Sequence, residues 1–454
     1  MIAMLNGALS NGAILVLMAC LFLVFGYMGV PVSFALIAGV FVAVQFTPIS
    51  MQSMVGQLFH GIDSEALLAV PFFLLVGELM ASSDVVQRMI RLAQTMVGHL
   101  RGGLAQVVTL FSMFFAGISG SSTADVAVLS RTVAPQMDAE GYDRAFIAAL
   151  IASASTMANL IPPSIMAIVY GATGNVSIGG LFLAGVVPGV LIGLGLMVYS
   201  YIWGPVGIRK QRASFAEFAT AAKASALPMV IPVIIMGGIL SGGFTPTEAG
   251  MVAAVYILLV LIPIYRPRHV FELPRDFMHA GLLYSLPLAA VAAASTFGWM
   301  VAFLRGPDIV STYITGIAGT SGPMIMFSLV VLFVIVGDFL DAVPAIIIFM
   351  PIINKLTEVG NINPLHMGVV IITTLVFGLI TPPYGLSLLV ASKYVGVGFG
   401  RAVVRSLPLY GVFFLTIAFV VLFPDIVLWL PKQLIPESVG CFKAPSGTGY
   451  ICPP

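Results

Sequence analysis

Ten apolar runs, most of them long enough to cross a lipid bilayer, are the feature that most constrains this chain. A spanning α-helix needs roughly 17–25 apolar residues. Only 8% of the 454 residues are charged, whereas a soluble domain carries roughly 25%. The sequence therefore predicts an all-α polytopic membrane protein, and the net charge of +1 gives no indication of a nucleic-acid partner. The runs lie at about 13–28, 31–48, 65–82, 145–172, 179–203, 225–241, 245–265, 280–303, 364–394 and 402–424.

Two further apolar runs, at about 104–136 and 322–357, are interrupted in the middle by polar or glycine-rich residues. The first contains GISGSSTAD at 117–125, and the second contains GDFLD at 337–341. Each run is long enough for two half-helices that enter and leave the membrane by the same face. Both runs are therefore predicted to be re-entrant helical hairpins, and the two motifs are predicted to form the hairpin tips.

Basic residues are concentrated in four loops. With ten spans and two re-entrant hairpins, all four loops fall on one side of the membrane. The positive-inside rule makes that side cytoplasmic, so both termini are expected in the periplasm of a bacterial inner (cytoplasmic) membrane. The loops are marked by Arg88, Arg91 and Arg101; by Arg209, Lys210, Arg212 and Lys223; by Arg266, Arg268 and Arg275; and by Lys393, Arg401 and Arg405.

A constant offset in residue number relates the two halves of the chain. The offset that separates Pro162 from Pro382 also separates Gly117 from Gly337, and each proline begins a Pro-Pro pair within an apolar run. Each half then contains three spans, a hairpin, a span broken at Pro-Pro and one further span. Five spans per half is an odd number, so the halves must insert upside down relative to each other. An inverted repeat with broken helices at matching positions is typical of secondary transporters.

The predicted organisation has four parts. The first repeat covers 1–205, a basic cytoplasmic linker covers 206–224, the second repeat covers 225–424, and a periplasmic tail covers 425–454. The tail carries Cys441 and Cys452. A disulfide between them is expected in an oxidising periplasm, and two free thiols are the alternative.

The Pro-Pro pairs and the hairpin tips are where chemistry is expected. Two consecutive prolines remove two amide donors and break the helix. The freed backbone groups survive in a membrane only where they are buried in protein or line a cavity. Carbonyl and hydroxyl oxygens suit Na⁺, and half-helix N-termini suit a carboxylate. The two tips and the two breaks are therefore predicted to meet near the membrane midplane.

The polar residues of these segments are the candidate ligands. In the first half they are Ser119, Ser121, Ser122, Thr123, Thr156, Asn159 and Ser164. In the second half they are Asp338, Asp341, Thr373, Thr374, Thr381 and Ser387. Gly117, Gly120, Gly337 and Gly385 allow close backbone approach. Helix–helix packing, for which small residues are ordinary in membranes, is the alternative for any one serine or threonine, whereas the whole cluster favours a site.

The charged residues inside the apolar runs have competing explanations. Asp125 is expected to cap the returning half-helix, and Asp341 either caps its half-helix or binds a cation. Glu78 and Glu248 are expected to be structural. Arg131 either extends to the cytoplasmic surface, which is favoured, or contacts an anion.

Five motifs, GISGSSTADVAVLS, NLIPPS, GGFTPTEAG, GDFLD followed by PAIIIFMP, and LITPPYG, occur in this order. From about residue 13 to 425 the chain resembles the large membrane subunit of tripartite ATP-independent periplasmic (TRAP) transporters, the DctM-like family. The resemblance implies an elevator-type fold of the ion-transporter superfamily, driven by a Na⁺ gradient. It also implies a small organic anion, often a carboxylate, delivered by a periplasmic substrate-binding protein. A small four-helix membrane subunit is expected as a separate polypeptide.

The resemblance also assigns roles to individual residues. The implied sodium-binding residues are Ser119, Gly120, Ser121, Ser122, Thr123, Asn159, Pro162, Gly337, Asp338, Asp341, Thr381, Pro382 and Gly385. The implied substrate-binding residues, between the two cation sites, are Ser121, Ser122, Thr156, Ser164, Thr373, Tyr384 and Ser387.

Three alternatives compete with this interpretation. The nearest is a stand-alone Na⁺/dicarboxylate symporter of the same superfamily, which needs no binding protein. An intramembrane enzyme is disfavoured because the five histidines are scattered and the sequence has neither an HExxH motif nor a Walker-type phosphate loop. A channel is disfavoured because paired inverted breaks are typical of alternating access.

Overall fold

The computed structural model describes residues 9–82, 85–205 and 211–440, together with two short strands. The strands, β1 (Phe442–Lys443) and β2 (Tyr450–Ile451), pair in antiparallel register. Regular structure in the remaining described residues is helical. Cys441 and Cys452 lie outside the described residues, so the disulfide stays a prediction.

The described residues of the first half form eleven α-helices and two 3₁₀ turns. They are α1 (Asn11–Tyr27), α2 (Val32–Val44), α3 (Met51–His60), a 3₁₀ turn (Ala66–Leu68), α4 (Ala69–Ser82), α5 (Val85–Val97), α6 (Gly103–Ser119), α7 (Ser122–Thr132), α8 (Ala134–Ala139), α9 (Arg144–Ser155), a 3₁₀ turn (Thr156–Asn159), α10 (Ile165–Gly174) and α11 (Ile178–Ile202).

The second half follows the same pattern of long and broken helices. Its elements are α12 (Phe215–Leu240), α13 (Pro246–Tyr256), a π-helical turn (Ile257–Leu261), α14 (Ile262–Tyr265), a 3₁₀ turn (Pro267–Phe271), α15 (Leu273–Phe303), α16 (Gly306–Ala318), α17 (Gly322–Gly337), α18 (Ala342–Val359), α19 (Pro364–Gly378), α20 (Leu386–Val395), α21 (Phe399–Leu422), α22 (Pro424–Val427), α23 (Trp429–Leu434) and a 3₁₀ turn (Pro436–Val439).

Within the described residues, six helical segments are long and apolar enough to cross a membrane, and two bent pairs raise the number to eight. The first pair, Ala66–Ala81 with Val85–Val97, bends by 75°, and the second, Gly306–Ala318 with Gly322–Gly337, bends by 117°. The sharp bends place α5 and α16 at a steep angle to their neighbours. The chain is therefore a multi-pass helical membrane protein, as its hydropathy predicts.

Helix boundaries recur along the chain at the spacing of the Pro-Pro pairs. Helices α9 and α19 begin at Arg144 and Pro364, separated by the same offset as Pro162 and Pro382. Helices α10 and α20, which follow the breaks, match that offset to within a single position. The helices that follow the tips, α7 and α18, match it without any difference. Both halves thus place a tip and a break at matching positions.

The two halves are packed into each other rather than side by side. Helix α7, which follows the first tip, packs on α20, which follows the second break. Helix α10, which follows the first break, packs on α18, which follows the second tip. Helix α9 also packs on both α20 and α21. Each tip-following helix therefore lies against the other half of the chain.

Several helices extend beyond the predicted apolar runs because caps, rather than hydropathy, define their ends. Helix α12 begins at Phe215, well before the run predicted from 225, because Ser214 and Glu217 form a capping box at its start. Helix α3 is too short to cross a membrane, and Ser50 caps it by accepting from the Ser53 amide at 3.1 Å. Hydropathy alone detects neither feature.

Three of the four basic segments meet at one end of the helix bundle. The Ser225 hydroxyl of α12 donates to the Arg88 carbonyl of α5 at 3.1 Å. The Arg88 guanidinium carbon lies 4.1 Å from the ring centre of Tyr265. The Tyr265 hydroxyl in turn donates to the Ala224 carbonyl at 3.0 Å. These contacts join α5, α12 and the end of α14.

Candidate functional site

The first tip lies between α6 and α7. Helix α6 ends at Ser119, and Gly120 takes a left-handed conformation with φ +60°. The Ser119 hydroxyl donates to the Asp125 carboxylate at 2.6 Å, and the Ser121 and Thr123 hydroxyls share a hydrogen bond of 3.1 Å. Asp125 is fully buried in the first turn of α7, and one of its carboxylate oxygens accepts from Ser119. Asp125 therefore lies at the start of the returning half-helix, as predicted, and its bond to Ser119 also closes the tip.

The first break lies directly against this tip. A Cβ added at Gly120 would lie 2.7 Å from the Pro163 carbonyl oxygen, and one added at Gly117 would lie 3.6 Å from the Pro162 carbonyl oxygen. Glycine is thus needed at 120 both for its positive φ and for this close approach. The structure therefore brings the predicted tip and the predicted Pro-Pro break into contact.

Ser164 organises the restart of the helix after the first break. Its hydroxyl donates to the Asn159 carbonyl at 2.5 Å and accepts from the Ala167 amide at 3.2 Å, so it caps α10. Thr156, in the preceding 3₁₀ turn, donates to the Ser153 carbonyl at 2.7 Å. The Pro162–Pro163 peptide bond is cis. Thr156, Asn159 and Ser164 are all buried beside the tip.

The second tip and the second break are joined by hydrogen bonds. The Thr381 hydroxyl donates to the Asp338 carboxylate at 2.6 Å, and the Tyr384 amide donates to the Asp338 carbonyl at 3.1 Å. The Tyr384 hydroxyl donates to the Asp341 carboxylate at 3.3 Å. A Cβ added at Gly378 would lie 2.6 Å from the Gly337 carbonyl oxygen, so the two backbones touch.

Asp341 has two partners that explain its position. Its carboxylate accepts from the Val343 amide at 3.3 Å and so caps the N-terminus of α18. Its other carboxylate oxygen accepts from Tyr384. Of the two roles that the sequence leaves open for Asp341, the structure shows the helix cap.

The chain around the second break is held by its own backbone and by Tyr410. The Ser387 amide donates to the Leu379 carbonyl at 3.0 Å. The Tyr410 hydroxyl donates to the Ile380 carbonyl at 2.7 Å. Gly385 takes a left-handed conformation with φ +46° before α20, and the Pro382–Pro383 peptide bond is cis. Sequence reasoning missed Tyr410 because it lies on α21, outside both motifs.

The two breaks differ in exposure. Pro162 and Pro163 are buried, whereas Pro382 and Pro383 are exposed. Thr381, immediately before the exposed pair, is buried, and so is Ser387 after it. The second break is therefore more exposed than the first, whereas the first tip keeps Ser121 and Thr123 partly exposed.

Thr373 and Thr374 lie one to two turns before the second break. Their hydroxyls donate to the Val369 and Val370 carbonyls of their own helix, at 2.7 and 2.8 Å. Both residues are buried. Each hydroxyl retains its acceptor lone pairs, but within the described part of the chain neither threonine bonds to a tip.

A small cavity of about 10 Å³ lies where the first break faces the second half. It is lined by Asn159 and Ser164 from the break and by Val369 and Ile372 from α19. This volume holds about one water molecule. A larger ligand at this position would therefore require the two surfaces to separate.

Several buried polar atoms near the tips and breaks have no hydrogen-bond partner among the residues that the structure describes. Unsatisfied buried polar groups are rare and call for an explanation such as a bound ion or water. The atoms are Asp125 Oδ2, Asn159 Nδ2, Ser153 Oγ, Ser155 Oγ and Ser387 Oγ. All five belong to, or flank, the predicted sites.

The remaining charged residues have structural partners. Glu248 forms a capping box with Thr245, whose amide donates to it at 2.8 Å, so the structural role predicted for Glu248 is confirmed. Glu78 lies 2.8 Å from the His279 Nδ1 atom. The Arg131 guanidinium donates to the Tyr394 hydroxyl at 2.9 Å, a contact between α7 and α20 that the sequence does not predict.

The fold and the paired tips and breaks define a polytopic membrane protein built from broken helices. A solved structure of MtrF from Neisseria gonorrhoeae, described as illuminating a class of antimetabolite efflux pumps, has a similar fold. The TM-score is 0.56 at 10% sequence identity, and the match covers 84% of this chain and 83% of that chain. This likeness shows a shared architecture.

The chain belongs to the family of the DctM component of tripartite ATP-independent periplasmic transporters, whose family model matches residues 19–426. It is 37% identical to the C4-dicarboxylate TRAP transporter large permease protein DctM of Pseudomonas aeruginosa, over 88% of this chain and 93% of the relative. It is 34% identical to the sialic acid large permease protein SiaM of Vibrio cholerae, over 90% and 96%. The resemblance seen in the motifs is thus confirmed, and these relatives are permease proteins rather than enzymes.

Proposed function

We propose that the chain is the large permease subunit of a transporter that takes up a small organic anion, of the carboxylate type, driven by a Na⁺ gradient. The observation that carries the proposal is the contact of each hairpin tip with the Pro-Pro break of its own half. Such paired broken helices form the ion and substrate sites of secondary transporters. Family membership supports the same function.

The oxygen atoms at the two tips support Na⁺ as the coupling ion. The first pair offers the hydroxyls of Ser119, Ser121, Ser122 and Thr123 with the Asn159 side chain. The second offers the carboxylates of Asp338 and Asp341 with the Thr381 hydroxyl. A hard cation prefers such oxygen ligands, and backbone carbonyls of Gly120, Pro162, Gly337, Pro382 and Gly385 lie in the same segments. We assign the two cation sites to these two sets of residues.

The substrate is proposed to bind between the two pairs. The candidate residues are Ser121, Ser122, Thr156, Ser164, Thr373, Tyr384 and Ser387. The relatives are named for C4-dicarboxylates and sialic acid, and one from Ruegeria pomeroyi, 32% identical, is named for ectoine and 5-hydroxyectoine. All of these molecules carry a carboxylate. The N-termini of α7, α10, α18 and α20 supply amide dipoles that suit that group.

The recurrence of helix boundaries supports an inverted repeat, and we propose that the transporter works by an elevator mechanism. Tips and breaks of the two halves pack into each other, α7 on α20 and α10 on α18, which favours one mobile unit over two. In this conformation the second Pro-Pro pair is more exposed than the first.

Two protein partners are proposed from the family. A small four-helix membrane subunit would complete the permease, and a periplasmic binding protein would deliver the substrate. The chain would lie in the bacterial inner membrane with both termini in the periplasm. The basic segments that meet around Arg88 and Tyr265 would then face the cytoplasm.

The test is reconstitution of the chain with its small subunit in liposomes, with the binding protein added outside. A thermal-shift screen of the binding protein selects the radiolabelled acid. We expect uptake that needs both an inward Na⁺ gradient and the binding protein. Uptake of free substrate by the chain alone would instead favour the stand-alone Na⁺/dicarboxylate symporter. An uptake rate that does not depend on the Na⁺ gradient would contradict Na⁺ coupling.

A further inference from the structure

A large groove lies between α5 and the start of α12, away from the tips and breaks. Its volume is about 1030 Å³, at the upper end of the range for ligand pockets in proteins. Helix α5 contributes Arg88 and Arg91, and the segment before α12 contributes Arg212. No transport role described above uses this groove.

Within the part of the chain that the structure describes, no carboxylate neutralises the arginines of the groove. In residues 9–82, 85–205 and 211–440, neither Arg91 nor Arg212 forms an ion pair, and the Arg88 guanidinium is stacked on Tyr265. Arg88 Nε is buried without a hydrogen-bond partner in the same ranges. Three guanidinium groups therefore line one groove, and their N–H groups are available to donate hydrogen bonds to a ligand.

Among the described residues that line the groove, the one acidic side chain, Glu217, is already engaged. The Glu217 carboxylate accepts from the Ser214 amide at 2.7 Å and from the Ser214 hydroxyl at 3.0 Å. These bonds form the capping box of α12, so Glu217 serves the helix start rather than an arginine. The balance of three arginines against one satisfied glutamate favours an anionic ligand.

The elements around the groove indicate where that ligand comes from. Helix α12 is apolar enough to cross a membrane, and most of its surface faces outward. Helix α5 bends by 75° from α4, buries its apolar face and exposes Arg91. The groove thus lies at one end of an apolar helix whose surface is mostly exposed. Basic pockets between membrane helices on the cytoplasmic side bind lipid headgroups, and the placement of the groove on that side rests on the topology given under the proposed function.

We propose that the groove between α5 and α12 binds the phosphodiester headgroup of an anionic phospholipid. Arg88, Arg91 and Arg212 hold the phosphate oxygens, since guanidinium groups bind phosphate in bidentate geometry. The side-chain amides of Gln87, Gln94 and Gln211, which also line the groove, contact the polar glycerol portion. The acyl chains lie along the exposed apolar surface of α12.

The test is native mass spectrometry of the purified full-length chain in a zwitterionic detergent. Dioleoyl phosphatidylglycerol and dioleoyl phosphatidylcholine are titrated separately, and glycerol 3-phosphate is added as a soluble competitor. We expect bound phosphatidylglycerol at concentrations where phosphatidylcholine does not bind. We also expect glycerol 3-phosphate at the same concentration not to displace it, because it has no acyl chains.

The diagnostic variant is Arg91→Gln with Arg212→Gln. Both residues are exposed and form no ion pair in the described part of the chain, so the variant should fold. Each basic residue near an anionic lipid contributes roughly fivefold in affinity. The double variant should therefore bind phosphatidylglycerol about thirtyfold more weakly.

The matched control is Arg268→Gln with Arg401→Gln, which removes the same charge from two other basic loops. It should bind phosphatidylglycerol as the unmodified chain does. Equal weakening in the two double variants would overturn the proposal in favour of diffuse charge attraction. Equal binding of the two lipids, or displacement by glycerol 3-phosphate at the same concentration, would also overturn it.

Discussion

The Thr381 hydroxyl donates a 2.6 Å hydrogen bond to the Asp338 carboxylate, 43 residues earlier in the chain. Thr381 immediately precedes the second Pro-Pro pair, and Asp338 follows the last residue of α17. A second bond, from the Tyr384 amide to the Asp338 carbonyl, joins the same two segments at 3.1 Å. The second tip and the second break therefore form one structural unit.

Replacing Thr381 by valine should weaken Na⁺ dependence, because valine keeps the shape but leaves Asp338 without its donor. A hydrogen bond to a charged group contributes about 1.5–3 kcal/mol, so the Na⁺ concentration for half-maximal uptake should rise tenfold or more. Thr381→Ser should restore it. Thr416→Val is the control, because among the described residues the Thr416 hydroxyl bonds only to its own helix, at the Val412 carbonyl. If uptake depends on Na⁺ concentration in the same way in Thr381→Val and Thr416→Val, Thr381 does not belong to the cation site.

The double substitution Ser121→Ala with Ser122→Ala should weaken Na⁺-driven uptake while leaving the protein folded. It removes two hydroxyls from the first tip without changing the backbone bonds that close it. The measurement is initial uptake as a function of Na⁺ concentration. Ser285→Ala with Ser328→Ala is the matched control, since in the part of the chain that the structure describes both hydroxyls bond only to their own helices. Unchanged Na⁺ dependence in the first variant would argue against the cation site at this tip.

Gly378→Ala should destabilise the fold by about 1–3 kcal/mol, the usual cost of overpacking. The added Cβ would lie 2.6 Å from the Gly337 carbonyl oxygen, so backbone would have to move. Gly237→Ala is the control, because nothing lies within 4 Å of its added Cβ. The free energy of unfolding in detergent measures the difference. Equal stability of the two variants would mean that α17 and α19 are not in backbone contact.

Single cysteines should reveal the topology in a background without the three native cysteines. Arg212→Cys and Arg401→Cys should react with an impermeant maleimide from the cytoplasmic side. Glu437→Cys should react from the periplasmic side. All three positions are exposed in the structure. Labelling of Glu437→Cys and Arg212→Cys from the same side would contradict the inverted insertion of the halves.

The sequence predicts the broken segments well because their causes are local. Proline and glycine restrict or free the backbone at their own positions. Helix α6 accordingly ends at Ser119 within the predicted first tip, and α20 begins at Leu386, just after the predicted second break. The contact of each tip with its own break was also predictable, because backbone groups that a helix break leaves unpaired need a hydrogen-bond partner inside a membrane.

Side-chain pairing is not predictable in the same way. The sequence places Asp125 at the start of α7, but it does not predict that the Asp125 carboxylate accepts from Ser119 across the tip. The partners of Arg131 and Asp338 lie 263 and 43 residues away, at Tyr394 and Thr381. Such pairs depend on how the two halves pack against each other. A single sequence, read alone, does not indicate which residues of the two halves will meet.

The packing of α7 against α20 also has a consequence for synthesis of the chain. Arg131 and Tyr394, which join these helices, are 263 residues apart. A ribosome adds about 5–20 residues per second, so the first hairpin leaves it roughly 10 to 50 s before its partner helix exists. During that interval the buried Asp125 and the serines of the first tip have no second half to cover them. We expect chaperones or the insertion machinery to shelter this hairpin, and a stop codon before residue 386 to yield a rapidly degraded product.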